Sequence, residues 1–305
     1  MEIAVVGGCG FIGKSVSTKL IQNNHRVISI HSQPHTPNRS DIECRIGNFG
    51  DVEFMGKILR QFGCLIHLGA RYTPVEADRA PDLANLADLD ASKRLIETAI
   101  SIQIPQIIFA SSGGAVYGNL VNGTLAHENL IPHPASRYGQ IKLSLERTLL
   151  QKCQASSTKF QALRISNAYG PGQTARASFG AIPTFLNRIE KRQPLTILNS
   201  NSSRDYVYVD DVAEAFLKTL EYKGAASVIN IGTGVATTPI ELVDLICKLS
   251  GSSAPPLNYS KEMPNAVSFN VLDISLALQE LAWMPKYNLV EGLRQVIANR
   301  THKVG

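Results

Sequence analysis

The stretch "VVGGCGFIGKS" at residues 5–15 matches two glycine patterns, and each pattern predicts a different kind of nucleotide site. As G-x-x-x-x-G-K-S it is a phosphate loop, which binds a nucleoside triphosphate and magnesium. As G-x-x-G-x-x-G it is the glycine turn of a dinucleotide-binding fold. The first interpretation uses Gly8, Gly13, Lys14 and Ser15, and the second uses Gly7, Gly10 and Gly13. Neither pattern alone decides between them.

Phe11 and Ile12 separate the two interpretations. In a phosphate loop both side chains would lie in an exposed wrap around phosphates and lose burial worth roughly 1.5–3 kcal/mol each. In a dinucleotide turn they begin the next helix, where Ile12 joins Val16 and Leu20 on one face. A phosphate-loop protein also needs an acidic residue at the end of an apolar strand to hold magnesium, and "IHLGA" and "FASS" have none. The dinucleotide turn is therefore favoured over a phosphate loop or a plain strand–helix turn, and Lys14 and Ser15 are expected to face solvent.

Apolar strand-like runs alternate with helical patterns through the first half of the chain. This alternation predicts an α/β fold with a Rossmann-type, doubly wound parallel sheet, in which ligands bind at the carboxyl ends of the strands. The predicted strands are 3–6, 25–30, 64–70, 106–112 and 160–166, and the predicted helices are 11–23, 83–102 and one that starts near Ser136.

The sequence changes character after about residue 170, where "GPGQTARASFG" (170–180) introduces a loop rich in small residues. We predict a dinucleotide-binding domain over residues 1–165, to which 204–232 returns. A smaller, discontinuous C-terminal substrate-binding domain takes up most of 166–305.

Composition excludes several classes of function. The net charge of +5 comes from 30 basic and 25 acidic residues without a run of like charge, so no nucleic-acid partner is expected. The five cysteines form no C-x-x-C pair and the histidines lack ligand spacing, which predicts neither a disulfide framework nor a metal site. No apolar run has the length of a membrane span, and no basic, apolar leader precedes the first strand. We therefore expect a cytoplasmic protein without a membrane partner.

Tyr138 and Lys142 are four residues apart on a predicted helix and therefore share one face. A tyrosine that acts as a base near pH 7–8 needs a pKa about two to three units below its usual value of about 10. A neighbouring ammonium stabilises the phenolate and lowers the pKa in this direction. The spacing alone occurs often by chance, so its position after the strand ending in "SSGGAVYG" (111–118) adds weight. There, serine hydroxyls and paired glycines allow a close approach to a ligand.

Landmarks along nearly the whole chain resemble those of extended short-chain dehydrogenases/reductases of the NAD-dependent nucleotide-sugar epimerase/dehydratase family, the UDP-glucose 4-epimerase-like group. In order they are "VVGGCGFIG", "LIHLGA", "SSGGAVYG", "SRYGQIK", "RISNAYGPG", "RDYVYVDDVAEAF", "NIGTG" and "LAWMPKYNLVEGL". Several are loose individually, but their joint order is specific.

The resemblance implies bound NAD or NADP and a nucleotide-sugar substrate. Tyr138 would move a proton on or off a sugar hydroxyl, Lys142 would lower its pKa and bind the nicotinamide ribose, and Ser112 would share the hydrogen bond of the substrate. Asn167 and Arg204 would contact the nucleotide or diphosphate. The resemblance also implies a homodimer, with 83–102 and 136–152 as candidate interface helices. The implied cofactor-binding residues are Gly7, Gly10, Phe11, Ile12, Gly13, His31, Ser32, Asn48, Leu68, Tyr138 and Lys142.

Several positions depart from the family pattern. Gly113 stands where many epimerases have the catalytic hydroxyl, so Ser112 or Ser111 would take that part. His31 replaces the acid that favours NAD, and with Arg39 downstream NADP becomes an alternative. Met263 replaces an arginine that grips the diphosphate. Gly114 and Ala115 replace the acid pair of dehydratases, which argues against dehydration.

These features lead to one main hypothesis and two main alternatives. We expect an NAD(P)-dependent nucleotide-sugar epimerase that acts at C4 through a 4-keto intermediate. The first alternative is an NADPH-dependent 4-ketoreductase that makes a deoxysugar nucleotide, which the missing acid at His31 favours. The second is a non-catalytic dinucleotide-binding regulator, against which the Tyr138 and Lys142 pair argues. A phosphate-loop nucleotidase is the least favoured interpretation.

Overall fold

A computed structural model describes residues 1–32, 42–174, 180–260 and 267–301. The strands are β1 Glu2–Val6, β2 Arg26–His31, β3 Glu43–Ile46, β4 Cys64–His67, β5 Gln106–Ser112, β6 Lys159–Ile165, β7 Asn167–Tyr169, β8 Leu195–Ile197, β9 Ser203–Arg204, β10 Tyr206–Tyr208, β11 Val228–Ile231, β12 Leu257–Tyr259 and β13 Phe269–Asn270. The helices are α1 Phe11–Gln22, α2 Val52–Leu59, α3 Pro74–Arg79, α4 Pro81–Ala84, a π-helical segment Asn85–Asp90, α5 Ala91–Ser101, α6 Gly113–Val116, α7 Arg137–Gln154, α8 Ala181–Glu190, α9 Val209–Leu220, α10 Pro239–Ser250, α11 Ser275–Leu281 and α12 Leu289–Thr301.

The central sheet has seven strands in the order β11-β6-β5-β4-β1-β2-β3, and every neighbouring pair is parallel. The strand order reverses between β1 and β4, which is the position where doubly wound sheets bind ligands. The prediction of a Rossmann-type α/β fold with a smaller C-terminal part is confirmed.

Both faces of the sheet are covered because its central strands are apolar on both sides. One face packs against α1 and α9 around Val16, Leu20 and Phe216. The opposite face packs against α2, α5 and α7 around Met55, Leu95 and Leu149. Helix α9 lies within 204–232 and packs on α1, and β11 of the same stretch pairs with β6.

The later part of the chain has its own apolar cluster, in which Tyr169 and Tyr208 contact side chains from α8, α10 and α12. Asp205, fully buried between β9 and β10, ties this part to the sheet. Its carboxylate accepts hydrogen bonds from the Thr233 backbone N–H at 2.9 Å and the Thr233 hydroxyl at 2.7 Å. It also accepts from the Leu272 N–H at 3.3 Å.

Two sequence expectations about element bounds differ from the structure. The predicted strand 64–70 ends at His67, because the chain turns away after the Leu68 N–H donates to the Val6 carbonyl at 2.9 Å. The predicted helix 83–102 is interrupted by the π-helical segment at Asn85–Asp90. Among the described ranges, no helix combines the length and the apolar character of a membrane span.

Candidate active site

The carboxyl ends of the sheet strands bring most of the predicted site residues to one edge. Gly7 follows β1, His31 ends β2, Leu68 follows β4, Ser112 ends β5 and Asn167 lies just after β6. These residues are far apart in sequence, and parallel pairing alone makes them neighbours along one edge.

The glycine turn leaves no room for side chains at Gly7 and Gly13. Gly7 has a φ of 85°, in the left-handed region, and a Cβ there would lie 3.0 Å from the Gly69 nitrogen. A Cβ at Gly13 would lie 2.1 Å from the Gly7 carbonyl oxygen. That carbonyl accepts the Gly10 N–H at 2.9 Å, which closes the turn.

Helix α1 begins directly after this turn, and its N-cap residue Gly10 has no side chain to satisfy the first N–H groups. The first turn also contains no acidic residue. Uncapped N–H groups and the positive end of the helix dipole form an anion site of the kind that binds a pyrophosphate.

The helix residues that decided between the two glycine patterns are placed as follows. Ile12 is partly buried and packs against the core cluster shared with Val16, and Phe11 is half-buried. Lys14 and Ser15 are half-buried, and the Ser15 hydroxyl donates to Asp210 Oδ1 of α9 at 2.5 Å. The expectation that Ser15 simply faces solvent is therefore wrong, because α9 packs along this side of α1.

The residues predicted near the adenosine end of the cofactor lie beyond β2 and β3. His31 is half-buried and Ser32 is exposed. The exposed Asn48 uses its Oδ1 to accept the Gly50 N–H at 3.0 Å, and one lone pair of that oxygen is left for a ligand. Arg39, the basic residue considered for a 2′-phosphate, lies outside the described residues.

Tyr138 and Lys142 lie in the first turns of α7, beside the end of β5. The Lys142 ammonium is 5.5 Å from the centroid of the Tyr138 ring and 4.8 Å from that of Phe109. It donates to the Ala110 carbonyl at 2.8 Å, which anchors the buried lysine to the strand that carries Ser112. Ser136 begins the helix, and its hydroxyl accepts the Gly139 N–H.

Burial controls the protonation of this pair. It raises the pKa of the Tyr138 hydroxyl above its usual range, and the Asp88 carboxylate raises it further. Burial lowers the pKa of Lys142 to about 8, an effect that Asp88 and Glu146 oppose. Desolvation of the phenolate thus shifts the tyrosine pKa in the direction opposite to the lowering expected from Lys142.

Two buried ionisable groups near Lys142 were not anticipated from the sequence. Asp88, in the π-helical segment, accepts the backbone N–H groups of Arg71 at 2.8 Å and Tyr72 at 3.1 Å. His67, at the end of β4, lies 2.8 Å from the Ser92 hydroxyl through Nε2. Burial, with a smaller contribution from the Lys142 ammonium, lowers the pKa of His67 to about 3, so this histidine is neutral near pH 7.

Ser112 and Ser111 point to opposite sides of β5 and have different surroundings. The Ser111 hydroxyl is buried and donates to Glu146, so its hydrogen is not available to a substrate. Ser112 is half-buried, and its hydroxyl forms no hydrogen bond with the described residues. Gly113 has no space for a side chain, since a Cβ there would lie 2.6 Å from Leu272 Cδ1. Ser112 is therefore the hydroxyl available at this edge.

A buried polar network lies next to the end of β5, where Glu146 accepts the Ser111 hydroxyl. Arg164 and Glu146 form an ion pair at 2.7 Å, and both side chains are 5% exposed. Arg164 also donates to the Tyr117 hydroxyl at 2.8 Å, which in turn donates to Asn230 at 2.8 Å. The sequence offers no spacing signal for this network, because its members come from four separate segments.

The residues predicted to contact substrate lie on short strands that continue from the sheet edge. Asn167 donates from its side chain to the Asp205 carbonyl at 2.9 Å and lies beside Gly114. The Arg204 guanidinium donates to the backbone carbonyls of Ser203 at 2.9 Å and Val267 at 2.5 Å. It has no carboxylate partner among the described residues. Met263 lies outside the residues that the structure describes.

A dinucleotide fits these features. The glycine turn would let the pyrophosphate approach the N-terminus of α1, and Leu68 would cover the cofactor where the strand order reverses. Tyr138 and Lys142 would meet the reacting end of the cofactor beside Ser112.

Comparisons with known proteins give relatives and solved structures that cover nearly the whole chain. A model of the NAD dependent epimerase/dehydratase family matches residues 3–232. The chain is 30% identical over 307 residues to the dTDP-4-dehydro-6-deoxyglucose reductase of Escherichia coli, covering 97% of this chain and 96% of the relative. The crystal structure of UDP-glucose 4-epimerase from Thermotoga maritima with UDP-glucose superposes with a TM-score of 0.94 at 32% identity, covering 100% of both chains. UDP-glucose 4-epimerase from Thermus thermophilus in complex with NAD has a TM-score of 0.90 at 28% identity, covering 98% of both chains.

Proposed function

The chain belongs to the NAD-dependent epimerase/dehydratase family and is an NAD(P)-dependent enzyme of the extended short-chain dehydrogenase/reductase type, and on that basis we propose that it inverts C4 of a nucleotide sugar through a 4-keto intermediate. The observation that carries this proposal is the position of Tyr138, Lys142 and the Ser112 hydroxyl, which has no hydrogen bond with the described residues. All three lie at the strand edge that also bears the glycine turn.

Tyr138 is the base of the proposed reaction. Its phenolate takes the proton of the substrate 4-hydroxyl as the C4 hydride leaves, and the phenol returns that proton when C4 is reduced on the other face. Bound NAD would supply a hydride acceptor and a positive charge. That charge and the Lys142 ammonium would together oppose the burial that raises the tyrosine pKa.

Ser112 and Lys142 position the reacting groups. The Ser112 hydroxyl donates to the 4-oxygen and holds it beside the Tyr138 hydroxyl. Lys142, anchored on the Ala110 carbonyl, retains further N–H donors for the nicotinamide ribose.

Arg204 and Asn167 bind the nucleotide diphosphate in this account. The Arg204 guanidinium is held by backbone carbonyls, and burial lowers its pKa. A phosphate would compensate this buried charge with a charge-assisted pair.

A 4-ketoreductase is the second candidate, favoured by His31 at the end of β2 in place of an acid and by the likeness to the Escherichia coli reductase. The two functions differ in cofactor turnover. An epimerase regenerates its cofactor in each cycle, whereas a reductase consumes one NADPH per 4-keto sugar.

The test is Tyr138→Phe, assayed for C4 inversion of UDP-glucose and UDP-galactose and for reduction of a 4-keto sugar nucleotide. We expect losses of at least a hundredfold, the lower range for a positioned acid–base group. Tyr259→Phe, at a remote exposed tyrosine, is the matched control. If Tyr138→Phe retains every activity, the proposed base is wrong and the non-catalytic alternative gains support.

We further propose a cytoplasmic homodimer. The described cysteines are all free thiols, as is usual in a reducing compartment. Leu83 and Leu86, in the first of the two predicted interface stretches, are 57% and 60% exposed. Helices α5 and α7 pack side by side and are joined by the Lys152–Glu97 ion pair at 2.9 Å. A second copy of the chain would cover the exposed leucines.

A further inference from the structure

Two cysteines and a histidine converge beside the glycine turn. Cys9 lies inside the turn, His31 ends β2 and Cys44 lies on the edge strand β3. The two Sγ atoms and one imidazole nitrogen all lie within 4.8 Å of one another. The separation from Cys9 Sγ to His31 Nε2 is 2.8 Å.

These separations suit a tetrahedral ion after small shifts. Zn–S bonds of about 2.3 Å and Zn–N bonds of about 2.0 Å place tetrahedral ligand atoms roughly 3.5–3.8 Å apart. The Cys9–His31 pair would open by about 0.7 Å, and the other pairs would close by about 1 Å at most. Rotation of a half-buried side chain is enough for shifts of this size.

The donor set selects the ion. Two thiolates and one imidazole are soft and borderline ligands that bind Zn²⁺ well and bind Mg²⁺ or Ca²⁺ poorly. Binding releases the two thiol protons, and the imidazole binds in its neutral form. Two thiolates also cancel the double charge of the ion, so the complex adds no net charge beside Lys14, whose ammonium lies near Cys9.

The setting is that of an accessible site. All three residues are half-buried, so an ion reaches the donors and a water or ligand oxygen completes the tetrahedron. Three separate segments supply the donors, at sequence separations of 22 and 13 residues, which is why no motif predicted the cluster.

We propose that Cys9, His31 and Cys44 form a Zn²⁺ site, and that the bound ion excludes the dinucleotide from the glycine turn. The exclusion rests on the proposed function, which assigns the glycine turn and His31 to the dinucleotide. The coordinated ion would occupy the His31 nitrogen and lie beside Cys9 of the turn, so ion and cofactor would compete.

Co²⁺ titration of the reduced, cofactor-free, full-length protein tests the site. We expect thiolate-to-Co²⁺ charge-transfer absorption and tetrahedral ligand-field bands that saturate at one ion per chain and disappear when Zn²⁺ is added. Cys44→Ser should weaken Zn²⁺ binding at least tenfold, and Cys44→His should restore it with altered bands. Cys247→Ser, a thiol in α10 remote from the cluster, is the matched control and should leave the spectrum unchanged.

Several results would overturn the metal site. They are the absence of thiolate charge transfer, saturation that Cys44→Ser leaves unchanged, or an equal effect of Cys247→Ser. Near-native far-ultraviolet circular dichroism of each variant establishes that it is folded. Because Cys44 lies outside the proposed catalytic and cofactor-binding residues, Cys44→Ser should keep the metal-free activity.

Competition is measured by NADH binding with and without Zn²⁺. We expect Zn²⁺ to raise the apparent Kd of NADH at least tenfold in the wild type and to leave that of Cys44→Ser unchanged. If Zn²⁺ binds through Cys44 and NADH binding does not respond, the exclusion is wrong. If NADH does not bind at all while the Co²⁺ spectrum forms, the proposed function fails and the metal site stands.

Discussion

Tyr138 and Lys142 occupy one face of α7, and burial disfavours the phenolate form of the tyrosine. Desolvation raises the pKa of Tyr138, and the Lys142 ammonium donates to the Ala110 carbonyl. The proposed base therefore needs a compensating positive charge, which Lys142 and a bound NAD ring would supply.

Asp88 provides a test of how the Tyr138 hydroxyl is protonated. The Asp88 carboxylate adds to the effect of burial in raising the tyrosine pKa, and it also raises the pKa of Lys142. Asp88→Asn removes a negative charge that disfavours the phenolate. We expect the acid limb of the kcat/KM profile to move to lower pH by roughly 0.5–1 unit.

A purely structural part for Asp88 would have a different signature. It would lower kcat/KM at every pH and leave the acid limb of the profile in place. The reason is that an Asn side chain has only one oxygen, whereas Asp88 has two, to accept the N–H groups of Arg71 and Tyr72. Asp82→Asn, in the exposed first turn of α4, is the matched control.

The lowered pKa of Lys142 should make the stability of the protein depend on pH. That pKa is about 8 in the folded, cofactor-free protein against 10.5 for the unfolded group. Between these values the unfolded chain binds more protons, so the free energy of unfolding contributed by Lys142 rises with pH. Relative to Lys142→Met, the wild type should gain on the order of 3 kcal/mol from pH 8 to pH 10.5, with a constant difference below pH 8.

Denaturant unfolding of the cofactor-free proteins across this range measures the difference. Lys152→Met, on the same helix, reports what the remaining groups contribute. A wild-type minus Lys142→Met difference that stays constant from pH 8 to 10.5 would contradict the assigned burial of the ammonium.

Among the secondary-structure elements, helix α1 has an uncapped N-terminus whose N–H groups would bind the pyrophosphate. Gly10 is exposed and has φ −67° and ψ 174°, a conformation open to any residue. An aspartate there caps the helix itself. Gly10→Asp should therefore keep or slightly raise the Tm of the cofactor-free protein, because N-cap Asp exceeds Gly by a few tenths of a kcal/mol.

The same substitution should remove dinucleotide binding. A carboxylate beside the pyrophosphate costs several kcal/mol, so NADH affinity should fall by roughly a hundredfold or more. Gly10→Ser caps without charge and should keep more of the affinity. Wild-type binding of NADH by Gly10→Asp would show that this helix end does not hold the pyrophosphate.

The sequence predicted the central elements well because glycine turns and apolar runs are local signals. It left Ser111 and Ser112 as alternatives, and only the strand geometry, which commits Ser111 to Glu146, separates them. The π-helical segment and the contact of Ser15 with Asp210 depend on helix packing across long separations. The convergence of Cys9, His31 and Cys44 likewise requires the turn after β1 and the neighbouring strands β2 and β3 in their folded positions.

At the scale of the whole molecule, the described chain combines a seven-stranded sheet with a smaller part that carries Arg204 and ties back through Asp205. The fold class was predictable from the alternation of strands and helices. The added edge strand β11 was not a predicted strand, since Val228–Ile231 is short and lies outside the regular alternation.

The proposed dimer interface can be tested by substitution of its exposed leucines. The double variant Leu83→Glu/Leu86→Glu places two charges on exposed apolar positions and should shift a dimer to monomers in sedimentation velocity. Leu278→Glu, at a leucine of α11 that is 54% exposed, is the control and should leave the mass unchanged. A dimer that survives the double variant would contradict this interface.

In the proposed reaction, hydride leaves C4 and returns to C4 of the same sugar on one enzyme. Deuterium placed at C4 of UDP-glucose follows this transfer, with the product analysed by NMR and the nicotinamide nucleotides by mass spectrometry. We expect the C4 epimer with its deuterium retained and no label in free cofactor. Deuterium in free NAD(P)H, or no C4 inversion by an enzyme that reduces a 4-keto sugar with NADPH, would contradict it.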